Sequence, residues 1–195
     1  MRKGFIKRDT LETRIQTAIN LDPGEPEISI STGFAFADHM LELMSHWAGF
    51  SLDVQCQGDM QVDAHHSLED AGICLGQALE QALAGKQGIS RCGWARVPMD
   101  EALAEVSVDI SGRPYLVYQG SRLLNETIAG QEKDLWREFF KSFAFNARMN
   151  LHINLAYGSN SHHLLESAFK STGLALKQAV FISKTGILST KGTLD

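Results

Sequence analysis

The sequence predicts an α/β protein of the α+β two-layer kind: an internally duplicated half-domain, each half a mixed sheet packed by two helices. Three observations predict it. Apolar and polar residues alternate strictly in several short segments, apolar residues recur at helical spacing in several longer ones, and one stretch of 19 residues occurs twice.

From the N-terminus, Ile15, Thr17 and Ile19 alternate with Arg14, Gln16 and Ala18, the period of a strand with one face on a core. A helix is expected near residues 36–47. Phe50, Leu52, Val54 and Cys56 then alternate with Ser51, Asp53, Gln55 and Gln57, a second strand pattern. Leu68, Ala71, Gly72, Leu75, Leu79 and Leu83 follow at the steps of a helix stripe. The same vocabulary returns further on. Val106, Val108 and Ile110 mark a strand, residues near 132–147 a helix, Met149, Leu151, Ile153 and Leu155 a strand, and Leu165, Phe169, Leu176 and Val180 a closing helix.

The repeat is visible without a gap. Residues 65–83 read HHSLEDAGICLGQALEQAL and residues 162–180 read HHLLESAFKSTGLALKQAV, with 10 of 19 positions identical. Shared helix composition accounts for the Ala and Leu matches but not for HHxLE in both. Each half then reads as three strands, a helix, a strand and a second helix. Together they form a single catalytic domain over residues 1–195, with halves of approximately 1–87 and 88–195.

The formal net charge of −5 argues against a nucleic-acid-binding surface, which needs cations for phosphate. Cys56, Cys74 and Cys92 are odd in number and form no C-x-x-C pair, so neither a disulfide framework nor a zinc–thiolate site is expected. No stretch approaches the roughly 18 apolar residues of a membrane span, and Met1-Arg2-Lys3-Gly4-Phe5 has no signal-peptide core behind it. A cytoplasmic protein without membrane or nucleic-acid partners is the expectation.

Histidine carries the chemistry. Of His39, His46, His65, His66, His152, His162 and His163, four form the two HH pairs, each followed by glutamate at the same offset. His65 and Glu69, like His162 and Glu166, lie one helical turn apart on nearly one face; His66–Glu69 and His163–Glu166 are neighbours at three-residue spacing. Adjacent histidines point about 100° apart, so one ion does not easily take both. Two ions, with each pair divided between them, is the natural solution. His152 sits opposite the apolar face of its strand, presented toward something polar, and His39 lies near the start of the first helix. His46 has no assigned role. Six imidazoles and two carboxylates supply four ligands per metal and leave open positions on octahedral ions. Cysteine ligands being absent, first-row divalent metals from manganese to zinc all qualify.

Motifs along nearly the whole chain resemble those of the imidazoleglycerol-phosphate dehydratase family. They run from Arg8-Asp9-Thr10-Leu11-Glu12-Thr13 through Thr32-Gly33-Phe34 and Asp38-His39-Met40-Leu41 to Asp63-Ala64-His65-His66-Ser67-Leu68-Glu69-Asp70. Gly88-Ile89-Ser90-Arg91, Pro98-Met99-Asp100-Glu101-Ala102-Leu103 and Asp109-Ile110-Ser111-Gly112-Arg113-Pro114 continue the series. Gly158-Ser159-Asn160-Ser161-His162-His163-Leu164-Leu165-Glu166, Phe169-Lys170 and Ser189-Thr190-Lys191-Gly192 complete it. Phe34-Ala35-Phe36-Ala37 replaces bulkier residues, and Cys92 stands where an aromatic is common; both leave the expected ligands intact.

The resemblance implies a duplicated fold and the dehydration of imidazole glycerol phosphate to imidazole acetol phosphate in histidine biosynthesis. It implies two Mn(II) ions per active site, on His39, His65, His66, Glu69, His152, His162, His163 and Glu166. The family's chemistry runs through a metal-stabilised imidazolate and a diazafulvene-like intermediate. Glu12 is the expected proton shuttle beside the substrate, with His39 also contacting it; Arg91, Arg113, Lys170 and Lys191 are the expected phosphate cations, with Ser189 as a hydroxyl donor. A homo-oligomer of about 24 subunits built from trimers, with sites where subunits meet, is implied as well. The stand-alone form, rather than a fusion to a phosphatase, is expected. Two other readings keep the same metal ligands: a binuclear hydrolase, which would release phosphate or a carboxylate, and a metal-storing oligomer without turnover.

Overall fold

The computed structural model describes residues 2–183, 186–192 and 194. The first half is β1 (Lys3–Asp9), β2 (Thr13–Asn20), β3 (Ile28–Ser31), α1 (Ala35–Ala48), β4 (Ser51–Gly58) and α2 (His65–Leu83). The second is β5 (Cys92–Met99), β6 (Ala102–Asp109), β7 (Tyr115–Gln119), α3 (Asp134–Asn146), β10 (Asn150–Tyr157) and α4 (Ser161–Val180). A short 3-10 turn (Ser121–Leu123) and a two-residue ribbon of β8 (Thr127–Ile128) and β9 (Gln131–Glu132) are inserted between β7 and α3.

The sheets are ordered β1-β2-β4-β3 and β5-β6-β10-β7, the same order in the two halves. In each, the first three strands in space are antiparallel and the edge strand runs parallel to its neighbour. The expected mixed sheets and helix pairs are therefore present. Helices α1 and α2 pack on the first sheet, α3 and α4 on the second. The halves interlock through their helices, α2 against α3 and α1 against α4.

Burial explains the strand positions. Thr13, Ile15, Thr17 and Ile19 of β2 face the helices and are buried, while Arg14 and Gln16 are exposed. In β10, Leu151, Ile153 and Leu155 face inward and His152 outward. Trp136, Phe139, Phe140 and Phe143 of α3 fill the core beside Phe169 of α4, with the Phe140 and Phe169 ring centres 4.8 Å apart. At Gly173 a Cβ would meet the Met44 carbonyl oxygen at 2.3 Å, so glycine is what lets α4 approach α1.

The hairpins repeat as well. Gly4 of β1 presses on the Ala78 carbonyl of α2, and Gly93 of β5 presses on the Ala175 carbonyl of α4. The strand pairings Asp9↔Arg14 and Pro98↔Leu103 then correspond without a gap.

Candidate metal centre

The tightest cluster of metal-type donors joins the two halves. His39 comes from the first turns of α1, and His162 and Glu166 lie one turn apart on α4. Their ligand atoms all lie within 4.8 Å of one another. Glu166 Oε1 is 2.9 Å from His162 Nε2 and 3.3 Å from His39 Nε2. Two donors each about 2.1 Å from one ion and at right angles lie about 3 Å apart, so these spacings fit neighbouring positions around an octahedral divalent cation. Nitrogen and oxygen donors without sulfur suit a hard or borderline ion.

Glu166 is the buried member, its side chain 9% exposed. Its other oxygen, Oε2, accepts from Lys170 Nζ at 2.6 Å. Burial alone would raise its pKa, but Lys170, His39 and His162 together hold it down at about 2. The group is therefore an anion ready for a cation at Oε1. Phe36 meets the His162 ring edge-on, with centroids 4.9 Å apart, and limits where that ring can turn.

The start of α2 is looser. His65 Nε2 lies 3.6 Å from Glu69 Oε2, the expected pairing across one turn. His66 Nδ1 is 3.0 Å from Asp59 and 3.8 Å from Glu12 Oε2. Asp59, hydrogen-bonded to it, raises the His66 pKa, and the Glu12 charge adds to the effect. His163 is held likewise: its Nδ1 lies 2.7 Å from Glu101 Oε2, and that hydrogen bond raises its pKa while helping to hold Glu101 at about 2. In both histidines Nδ1 faces a carboxylate, which orients the ring and leaves Nε2 as the outward nitrogen. The N-cap of α4 is Asn160, whose Oδ1 accepts from His162 N at 2.9 Å; α2 has Ala64 at its N-cap without a side-chain cap, and Asp63 Oδ1 just before it accepts from His65 N at 2.7 Å.

The eight expected ligands do not converge within one chain. Among the described residues, His39, His162 and Glu166 are the one set of three or more such donors within mutual reach. His152 lies on the outer face of the second sheet, in a groove of about 350 Å³ lined by Cys92, Trp94, Ser107, Asp109 and Asn150. His46 is exposed in the last turn of α1.

Four of the five expected phosphate residues do meet. Arg91, Arg113, Ser189 and Lys191 line a cavity of about 520 Å³ together with Ile187, Leu188, Thr190 and Leu194. Asp109 grips Arg91 by two hydrogen bonds, at 2.6 and 3.0 Å, and Arg91 Nη1 donates to the Leu188 carbonyl at 2.9 Å. The Ser111–Arg113 loop is held by Asn150, whose amide donates to the Arg113 carbonyl at 2.6 Å. Lys170 is elsewhere, buried against Glu166. A larger groove, about 700 Å³, crosses the first sheet past Lys3, Phe5 and Asp53; it contains none of the imidazoles or phosphate cations.

Sequence reasoning did not single out Asp59 and Glu101 as functional. Neither lies in an HHxxE stretch. For Glu101 the available signal was the hairpin repeat, which aligns it with Glu12.

The model of the imidazoleglycerol-phosphate dehydratase family matches residues 32–176. The chain is 60% identical over 194 residues to the imidazoleglycerol-phosphate dehydratase of Oleidesulfovibrio alaskensis, covering all of this chain and 98% of that one. With the enzyme of the same name from Streptococcus sanguinis, identity is 50% over 196 residues and both chains are covered completely. The crystal structure of imidazoleglycerol-phosphate dehydratase from Staphylococcus aureus is similar with a TM-score of 0.83 at 38% identity, over 93% of this chain and 99% of that one. The Pyrococcus furiosus structure, in complex with (S)-C348, also gives a TM-score of 0.83, at 34% identity over 97% and 100% of the two chains.

Proposed function

The chain belongs to the imidazoleglycerol-phosphate dehydratase family, and on that premise we propose that it dehydrates imidazole glycerol phosphate to imidazole acetol phosphate for histidine biosynthesis in the cytoplasm. The observation that carries the metal chemistry is the His39–His162–Glu166 group, a preformed anionic N,N,O cluster spanning both halves.

We assign two Mn(II) ions per active site to His39, His65, His66, Glu69, His152, His162, His163 and Glu166. Bound there, the ions would supply Lewis-acid stabilisation of negative charge on the imidazole ring, the electron reservoir that helps expel hydroxide from the neighbouring carbon. The chain's own groups do the rest. Arg91, Arg113, Ser189 and Lys191 hold the phosphate, and Lys170 fixes the Glu166 carboxylate and adds positive charge beside the substrate. Glu12, on the β1–β2 turn, takes the proton from the carbinol carbon; hydroxide leaves the neighbouring ring-bearing carbon and is protonated to water. The enol that remains takes a proton at the ring-bearing carbon, gives up its hydroxyl proton and becomes the ketone, with the phosphate ester intact.

Because the α2 cluster, the α4 cluster and His152 do not converge in one chain, a complete site requires neighbouring copies. The proposed assembly is a homo-oligomer of about 24 subunits built from trimers, an order that closed symmetry permits. Manganese-replete protein incubated with imidazole glycerol phosphate should yield the phosphorylated ketone. Release of inorganic phosphate would point instead to a metallohydrolase, and absence of turnover by fully metallated, assembled protein would reject the dehydratase reading.

A further inference from the structure

The two hairpins that open the halves pair their strands in corresponding register, and their turns place a glutamate at the same position: Glu12 in the first, Glu101 in the second. Each faces the second histidine of its own half's HH pair. Glu12 Oε2 stands 3.8 Å from His66 Nδ1, and Glu101 Oε2 stands 2.7 Å from His163 Nδ1. The equivalence is therefore one of position and target, while the separations differ.

We infer that Glu101 is a positioning residue for metal binding: it holds His163 with the proton on Nδ1, so that Nε2 presents its lone pair to the ion. The geometry is specific. Glu101 Oε1 accepts from the backbone N–H of Ser159 at 3.1 Å and of Asn160 at 2.8 Å, and from the Ser159 hydroxyl at 3.2 Å. That arm anchors the carboxylate to the segment leading into α4. The remaining oxygen has His163 as its partner. An ionised carboxylate only accepts, so the ring nitrogen facing it must donate, and a neutral imidazole has one donor nitrogen. With Nδ1 donating, Nε2 is the acceptor. The nearest acidic group on that side, Asp100, is 3.8 Å from Nε2, beyond hydrogen-bond reach. In the first half Asp59 takes the close contact to His66 Nδ1, which leaves Glu12 at a greater distance and free for other work. The duplication has thus given equivalent glutamates different tasks.

The inference rests on the reading that His163 is a metal ligand, and the experiment separates the two. Glu101→Gln is the informative variant. Its carbonyl oxygen can keep the Ser159 and Asn160 N–H groups, so the anchor survives. Its NH2 then faces His163 Nδ1 and donates, forcing Nδ1 to accept and placing the proton on Nε2, the wrong tautomer for an ion there. Manganese affinity is read by competition with a chelator, alongside thermal unfolding of the metal-free protein, for the parent, Glu101→Gln, His163→Ala and the double variant. The expected result is unchanged metal-free melting for Glu101→Gln, manganese binding weakened by about 10- to 100-fold, and no further loss when Glu101→Gln is added to His163→Ala. If His163→Ala weakens binding and Glu101→Gln does not, the inference is overturned and the ligand reading stands. If Glu101→Gln weakens binding equally with and without His163, Glu101 does not act through it. If His163→Ala binds manganese like the parent, both fail.

Discussion

Replacing Glu166 with glutamine preserves the shape of the side chain and removes one charge at the most buried point of the candidate metal centre. Its carboxylate is 9% exposed, and Lys170 beside it is 11% exposed. The other close contacts of Lys170 are the Met99 sulfur at 3.2 Å and the Trp47 ring at 5.9 Å, and neither carries a formal negative charge. The amide therefore strands a buried ammonium, at a cost of about 3–5 kcal/mol. At about 2–4 °C per kcal/mol for a chain of this size, the metal-free variant should melt roughly 6–20 °C below the parent. The parent's own contribution from this carboxyl, held from 4.5 down to about 2, is fully present above pH 4.5 and lost as pH falls through about 2. Adding Lys170→Met removes the stranded charge and should restore much of the stability. Metal content should stay low in both variants, since an amide is a poor substitute for an anionic ligand. The assay pairs thermal unfolding of chelator-treated protein with elemental analysis of the manganese-replete form. A single variant that melts with the parent, or a double variant no more stable than the single, would refute the buried-pair reasoning. Full manganese occupancy in Glu166→Gln would remove Glu166 from the ligand set.

Arg113→Ala should keep its metal but lose roughly ten- to more than a hundred-fold in phosphate and substrate binding, one charge-assisted contact being worth on the order of 1.5–3 kcal/mol. Unchanged binding of inorganic phosphate and substrate by calorimetry would show that the residue does not hold phosphate. Glu12→Gln should retain both metals and bind substrate while single-turnover rates fall about 10²–10⁴-fold; near-normal turnover would take the proton from Glu12 and give it to another group. Verified metal removal should abolish activity and break the particle into smaller oligomers, because metal binding and assembly share ligands in this proposal. Light scattering that still finds the intact assembly would reject that coupling.

Parts of the molecule were legible in the sequence because one physical pattern dominated locally. The helical stripe from Leu68 to Leu83 falls within the observed α2 (His65–Leu83), since a stripe packed on both a sheet and another helix leaves a strong period. The expected helix near 132–147 is observed as α3 (Asp134–Asn146), and the strands around Ile15, Val54 and Ile153 each bury one face. By contrast β1 was not singled out. Gly4 stands where an inward apolar residue would have completed the alternation, because the Ala78 carbonyl occupies the space a Cβ needs. β7 (Tyr115–Gln119) is a half-buried edge strand with little alternation.

The site divides along the same line. Residue type and repetition announced the HHxxE pairs, and those glutamates meet their histidines as helix geometry requires. Contacts made by tertiary packing left no such mark. Nothing about Asp38-His39-Met40 states that His39, rather than His65 or His152, will stand 3.3 Å from Glu166. That contact crosses from one half to the other and needs α1 and α4 to approach closely. The position that permits the approach is Gly173, two turns along α4 from Glu166, where any side chain would strike the Met44 carbonyl. In the repeat Gly173 aligns with Gly76, and a Cβ at Gly76 would strike the Phe143 carbonyl of α3. The duplicated glycine thus makes both cross-half helix contacts, but His39 lies on the α1 side alone. One close helix crossing therefore joins a three-donor cluster, and the other leaves His65, His66 and Glu69 apart from it, a separation that the proposed assembly would close.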